Sequence, residues 1–461
     1  MSENQESQKE GILEKIKEKI PPLGQTILGE VEAIGGILTA DPTTHAEGEL
    51  NLEVASIRED LQQRRSEEAA AQNTNDESMN RTLITTGYSL PGRMQGLQPT
   101  LIRQFFERAP VGSINFGLGE PDLPTPDFMR QEAARIAVNE QNGYTSHPGI
   151  PELRELVASQ YPHLGIDKNN VVITCGSQEA MTAAMLAIVD SGDEVLIPDP
   201  GFPAYDACVR LAGGKPVYYR LPKENGFEFS IDEFTSKLSP RTKAAVLISP
   251  SNPTGKILKV RDLEQISSAL DKSGVYLISD EIYSDLYFGE KPQSASRFYA
   301  RTVIVSGLSK SLSMTGWRLG WAASSDKDVM RSIQVLHGYL TVCTSTITQK
   351  ASMKAWTDEA EAFKQMARDV YKKRGEILIN LFKDKLGLEA TKPEGAFYTM
   401  LDVRPFGDDM EIAEKCLAAG VITVPGRAFG EEAKGYLRIS LCNTEEKMKE
   451  GVERMVKALR Q

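Results

Sequence analysis

The sequence predicts an α/β protein: a large domain on a mostly parallel sheet, a smaller α/β domain, and an acidic segment ahead of both. Three observations carry that prediction. Short apolar runs at residues 171–174, 194–197, 244–248, 275–278 and 302–305 are separated by stretches long enough to hold a helix. Continuous apolar runs of this kind, without polar alternation, suit strands buried on both faces. Each run ends in a loop of Gly, Pro, Ser or Asn, and open α/β sheets bind their ligands at strand C-terminal ends. At 461 residues the chain can also bury a sizeable core in two or more domains.

Composition excludes several classes. Charged residues are 25% and apolar ones 40%, an ordinary globular balance. The net charge of −11 is concentrated at the start: residues 1–80 hold 7 Lys+Arg against 17 Asp+Glu, which leaves the body near −1. Neither part suits binding to nucleic acid by charge. No apolar run approaches the ~20 residues of a membrane span, so no membrane association is expected. The start, Met1-Ser2-Glu3-Asn4-Gln5, has neither signal-peptide nor transit-peptide character, which points to the cytoplasm. Five scattered cysteines read as reduced thiols, and four histidines without H-E-x-x-H give no metal site.

Taken in order, residues 9–20 can form a short amphipathic helix, with Ile12, Leu13, Ile16 and Ile20 on one stripe and Pro21-Pro22 as its stop. Residues 64–80 have the composition of a disordered linker, and order is expected near Leu83. A short apolar strand at residues 114–116 runs into Gly117-Leu118-Gly119-Glu120-Pro121-Asp122. The run at 171–174 leads to Gly176-Ser177-Gln178-Glu179, which opens a helix. Free N–H groups there make an anion site, although G-S-x-E is also an ordinary cap. The next runs lead to Asp199-Pro200-Gly201-Phe202, to Asn252-Pro253-Thr254-Gly255 and to Asp280-Glu281-Ile282-Tyr283. The last leads to Ser309-Lys310, with Thr315-Gly316-Trp317-Arg318 close behind. A lysine in such a loop can form a Schiff base when it is partly neutral, and a nearby arginine both lowers its pKa and grips a phosphate bidentately. Residues 326–383 read as mostly helical. Late strands are expected at 395–398, 421–425 and 436–440, the last with Arg438 inside an apolar run.

In this order the segments resemble the class I and II aminotransferases, the pyridoxal-phosphate-dependent enzymes of the aspartate aminotransferase superfamily. The lysine loop is similar to the family's S-K-x-x-x-x-T-G-x-R-x-G, and the resemblance spans nearly all of residues 83–461. It implies that Lys310 is the Schiff-base lysine and Arg318 a phosphate-binding residue, as are Gly176, Ser177 and Gln178. Asp280 would pair with the cofactor's ring nitrogen, and Tyr283 and Asn252 would meet its phenolic oxygen. Phe202 would stack on the ring; without the resemblance it reads as a core phenylalanine. Gly119, Asn252 and Arg438 would bind the substrate, Gly119 and Arg438 at its α-carboxylate. Tyr144, in Y-x-x-x-x-G-x-x-E-L-R, would reach the phosphate of a neighbouring subunit, which implies a homodimer. The implied division is an acidic, disordered segment 1–82, a small-domain part at 83–126, a large cofactor domain at 127–325 and a C-terminal small domain at 326–461.

The expected activity is transfer of an amino group between an L-amino acid and a 2-oxo acid such as 2-oxoglutarate, with pyridoxal 5′-phosphate as cofactor. Gln178 places no cation for a second substrate carboxylate, so a neutral or aromatic donor is favoured, with aspartate retained as an option through Arg427 or a partner arginine. Two rivals use the same scaffold. A β- or γ-elimination lyase differs only after substrate binding. A PLP-sensing regulator would need an N-terminal DNA-binding domain, which the acidic segment does not resemble.

Overall fold

The computed structural model describes Met94 and residues 97–460 apart from Lys272. The chain divides into two units, Met1–Ser89 and Leu90–Gln461, and every described residue belongs to the second. The helix expected over residues 9–20, the linker over 64–80 and the onset of order near Leu83 fall outside the described residues.

After a two-residue strand β1 (Ile114–Asn115) the chain builds a seven-stranded sheet. Its members are β2 (Val171–Thr174), β3 (Glu194–Asp199), β4 (Lys215–Arg220), β5 (Thr242–Ile248), β6 (Tyr276–Asp280), β7 (Thr302–Gly307) and β8 (Gly320–Ala323). The spatial order is β2-β8-β7-β6-β5-β3-β4. Strands β7, β6, β5, β3 and β4 are parallel, while β8 runs antiparallel to both β7 and β2. Five of these strands are the apolar runs read above. The other two escape that reading for local reasons. β4 is an edge strand with exposed Lys215 and Arg220, and β8 is four residues of Gly, Trp and Ala directly after the lysine loop.

Both sheet faces are covered, which is why the runs lack alternation. Val195, Ile197, Ala244 and Val246 pack on one face with Ala180, Ala183 and Ala184 of the helix Ser177–Ile188. Leu196, Ala245 and Leu247 pack on the other, with Leu263, Ile266 and Leu270 of the helix Val260–Leu270. Burying one such aliphatic side chain stabilises the fold by about 1.5–3 kcal/mol relative to exposure.

Register decides where the loops emerge. Asp280 lies beside Ile248 on one side and Val305 on the other, so the loops after β5, β6 and β7 share one sheet edge. Gly320 begins β8 opposite both Thr174 and Gly307. Antiparallel β8 therefore brings the residues just before it, Arg318 among them, to the same edge.

The remainder forms β9 (Tyr398–Asp402), β10 (Val421–Ile422), β11 (Val424–Pro425) and β12 (Tyr436–Ser440). Strands β11, β12 and β9 make an antiparallel sheet, and β10 pairs in parallel with β1. The strand expected at 395–398 begins only at Tyr398, because Ala396 takes a left-handed φ of 56° and Gly395 makes a single bridge to Tyr287. The run at 421–425 is split between two partners. Two helices, Lys327–Thr341 and the 29-residue Asp358–Leu386, fill most of the stretch read as helical, the second capped by Thr357 and ended by Gly387 at φ 68°.

Candidate active site

Lys310 follows β7 and is half-buried, and its Nζ donates to the Gly119 carbonyl at 2.7 Å. Burial pulls its ammonium down to about 8, with Arg438 and Arg318 adding to that and Cys442 and Glu120 opposing it. A lysine near 8 is partly neutral at physiological pH, as a nucleophilic amine requires. Gly119 has no room for a side chain: an added Cβ would run into the Tyr398 hydroxyl.

Asp280 ends β6 and is buried. Its Oδ2 accepts from the Tyr205 hydroxyl at 2.7 Å and its Oδ1 from the Ile282 N–H at 3.1 Å. Burial raises the carboxyl to about 6 despite those bonds and the positive charge of Lys310. Among the described residues no side-chain cation comes within ion-pair distance of it. A buried carboxylate in that position calls for a cationic or N–H partner.

Arg438 sits at the middle of β12, 1% exposed, between the rings of Tyr398 (4.4 Å) and Phe429 (4.7 Å). Nη1 donates to Asn252 Oδ1 at 3.0 Å, Nη2 donates to the Gly117 carbonyl, and Nε has no partner. None of its partners is a carboxylate. The Tyr283 and Tyr398 hydroxyls are 3.0 Å apart, which ties the loop after β6 to the start of β9.

The turn after β2 brings a helix N-terminus and an arginine together. Gly176 adopts φ 82° as the N-cap of the helix Ser177–Ile188, with no side-chain cap. A Cβ there would strike the Arg318 guanidinium, so glycine is required twice over. Arg318 is held by the Thr315 carbonyl at 2.8 Å and the Cys175 carbonyl at 3.3 Å. The helix dipole and the N–H groups of its first turn add to the guanidinium's charge.

The structure thus brings Lys310, Asp280, Tyr283, Asn252, Arg438, Gly119, Arg318, Gly176 and Ser177 to one edge of the sheet. Phe202 is half-buried beside them, edge-to-face with Tyr205 at 5.7 Å. The Gln178 side chain is exposed and turns toward Cys208 Sγ, 3.7 Å away. Tyr144 is not brought in: it is 88% exposed and lines a separate hollow with residues 343–347. Sequence reasoning missed two site residues, Tyr205, three positions past Phe202, and Tyr398, the last residue of the strand expected at 395–398.

Residues 111–455 match the family model for aminotransferase class I and II. The chain belongs to that family. It is 33% identical to a probable aspartate aminotransferase of Methanocaldococcus jannaschii over 76% of this chain and 94% of that one. It is 35% identical to an aromatic-amino-acid aminotransferase 2 of Thermococcus litoralis over 81% of this chain and 99% of that one. The solved aspartate aminotransferase of Thermus thermophilus with maleate superposes with a TM-score of 0.77 at 33% identity, covering 81% of this chain and all of that one. This aminotransferase is a pyridoxal-phosphate-dependent enzyme with the aspartate aminotransferase fold.

Its residues fit that cofactor. A partly neutral lysine, a buried carboxylate lacking a cation, and a glycine turn under an arginine are what an aldehyde, a ring nitrogen and a phosphate would each need.

Proposed function

We propose that this aminotransferase takes neutral or aromatic L-amino acids as preferred donors and 2-oxoglutarate as acceptor, the acceptor's second carboxylate being met by a mobile group or one from a neighbouring subunit. The observation that carries the binding of an amino or 2-oxo acid is Arg438, a buried guanidinium with an unpartnered Nε and no carboxylate beside it. Leaving such a charge uncompensated costs several kcal/mol, which an incoming α-carboxylate offsets. The donor preference is supported by the state of Arg427, the candidate named for a second carboxylate. Arg427 is tied to Asp409 at 2.6 Å and also to Asp408, so it is not available for a distal carboxylate.

In this reading Arg318, Ser177 and the backbone of Gly176 and Gln178 would hold the phosphate. Asp280, held in place by Tyr205, would keep the ring nitrogen protonated. Tyr283 and the Asn252 amide nitrogen would meet the phenolic oxygen, and Phe202 would cover the ring. Bound there, pyridoxal phosphate supplies the electron sink for loss of the substrate's α-proton. Lys310 Nζ takes and returns that proton, a task suited to an amine near 8.

The three-part division at 83–126, 127–325 and 326–461 belongs to the same proposal, supported by the pairing of β1 with β10. So does a homodimer in which Tyr144 reaches the neighbouring subunit's phosphate. Tyr144 is 88% exposed, and the helix Lys327–Thr341 also leaves Val335, Tyr339 (90% exposed) and Leu340 in solvent, apolar side chains that a subunit contact would cover. A cytoplasmic setting is supported by five free cysteines and by the lack, among the described residues, of any helix long and apolar enough to cross a membrane.

A donor panel at fixed 2-oxoglutarate tests the substrate assignment. Phenylalanine, tyrosine, leucine or alanine should exceed aspartate in kcat/KM. Aspartate ahead of all four by tenfold, about 1.4 kcal/mol of transition-state preference, would overturn it.

A further inference from the structure

The turn that carries Gly176 is itself held by a residue that takes no part in the reaction. Glu179 lies in the first turn of the helix Ser177–Ile188, yet its carboxylate points back along the chain. Oε2 accepts the Cys175 N–H at 2.5 Å. Oε1 lies 2.7 Å from His337 Nδ1 and accepts from the Thr341 hydroxyl at 3.1 Å. His337 and Thr341 stand one turn apart on the helix Lys327–Thr341, and His337 is fully buried with no partner at Nε2. The carboxylate is therefore pinned between two elements rather than free in solvent. Burial alone would raise its pKa, but the bonds from His337 and the Cys175 N–H outweigh that and leave it below the ordinary range.

The consequence runs through one peptide unit after another. The Cys175 N–H is fixed by Glu179, and the Cys175 carbonyl accepts from Arg318 Nη2 at 3.3 Å. Gly176 comes next, in a left-handed conformation that a side chain could not stabilise. Without an anchor, Cys175 and Gly176 could rotate and carry both the guanidinium and the helix N-terminus out of alignment.

We propose that Glu179, held by His337 and Thr341, is a positioning residue for the cofactor's phosphate. It fixes the Cys175–Gly176 turn so that Arg318 and the amides of Ser177 and Gln178 converge on one phosphoryl group. This rests on the assignment of that turn as the phosphate site.

The test compares dissociation constants for pyridoxal phosphate and for pyridoxal, which lacks the phosphate but offers the same aldehyde to Lys310. Equilibrium dialysis with the full chain serves for both. Glu179→Ala should weaken pyridoxal phosphate at least tenfold and leave pyridoxal within twofold. Pyridoxal binding also reports that the variant is folded. Should Glu179→Ala fail to fold, Glu179→Gln keeps the volume but removes one of the two acceptors, and a selective loss of threefold or more is expected. Equal loss for both ligands, or no loss for either, overturns the proposal. Arg318→Ala separates the two levels: it should also weaken pyridoxal phosphate selectively. If it does not discriminate between the ligands, the phosphate-site assignment itself falls.

Discussion

Asp280 and Arg438 are buried charges of opposite sign, and neither has an ion-pair partner among the described residues. Each therefore carries a burial cost that a bound group of opposite charge relieves. For Asp280 the sign of the pH effect follows from its pKa, raised by burial from 3.8 to about 6. The unfolded chain ionises first, so the fold loses stability as pH climbs from about 4 to 6 and stays penalised above that. The full penalty is at most ~3 kcal/mol. Cofactor-free Asp280→Asn should consequently unfold at higher urea than cofactor-free wild type at pH 7.5, with the gap closing near pH 4. Its activity should nevertheless fall heavily. An unchanged gap across that range would show that Asp280 is not the titrating group. Arg438 is probed differently, because an ammonium cannot reproduce a planar two-pronged grip. Arg438→Lys should raise KM for amino donors tenfold or more, and an unaltered KM for every donor would remove Arg438 from the carboxylate site.

Among the elements, the strand ends were readable and their neighbours were not. Strands β3, β5, β6 and β7 are buried on both faces, so each stands out as an apolar run ending in a functional loop. β4 lies at an exposed edge, and β8 is short and built largely of small residues, so neither leaves that mark. The same limit applies to side chains. Lys310 and Arg318 share one loop and can be read together, whereas Tyr205 meets Asp280 from 75 residues away and Tyr398 meets Tyr283 from 115. Local pattern holds no trace of such pairs; only the folded sheet creates them. Strand β8 matters out of proportion to its length, since it wedges between β2 and β7 and delivers Arg318. At Gly320 an added Cβ would lie 2.6 Å from the Gly176 carbonyl carbon and 2.7 Å from the Ser306 carbonyl oxygen. These are backbone atoms that cannot step aside. Overpacking of this kind costs 1–3 kcal/mol, so Gly320→Ala should lose about 2 kcal/mol in urea unfolding and weaken pyridoxal phosphate binding. Wild-type values for both would show that β8 can shift without disturbing the turn.

At the scale of the whole chain, charge and chemistry are segregated. Residues 1–80 carry −10 of the net −11, whereas every residue assigned to the site lies between Gly119 and Arg438. The family match begins at residue 111 and ends at 455, so it too leaves the acidic segment aside. Nothing in the chemistry proposed for the site calls on that segment, and an acidic segment offers no favourable charge to anionic 2-oxo acids or to a phosphate. A truncated chain beginning at Asn80 should therefore keep kcat/KM within twofold of the full chain and the same number of subunits. A tenfold loss would place the segment in catalysis or assembly. The competing role for it is docking, because a helix over residues 9–20 would put Ile12, Leu13, Ile16 and Ile20 on one stripe among four lysines and three glutamates. Co-sedimentation with anionic vesicles distinguishes the two: binding by the full chain and not by the truncated one, with kcat/KM unchanged, would assign the segment to location rather than to chemistry.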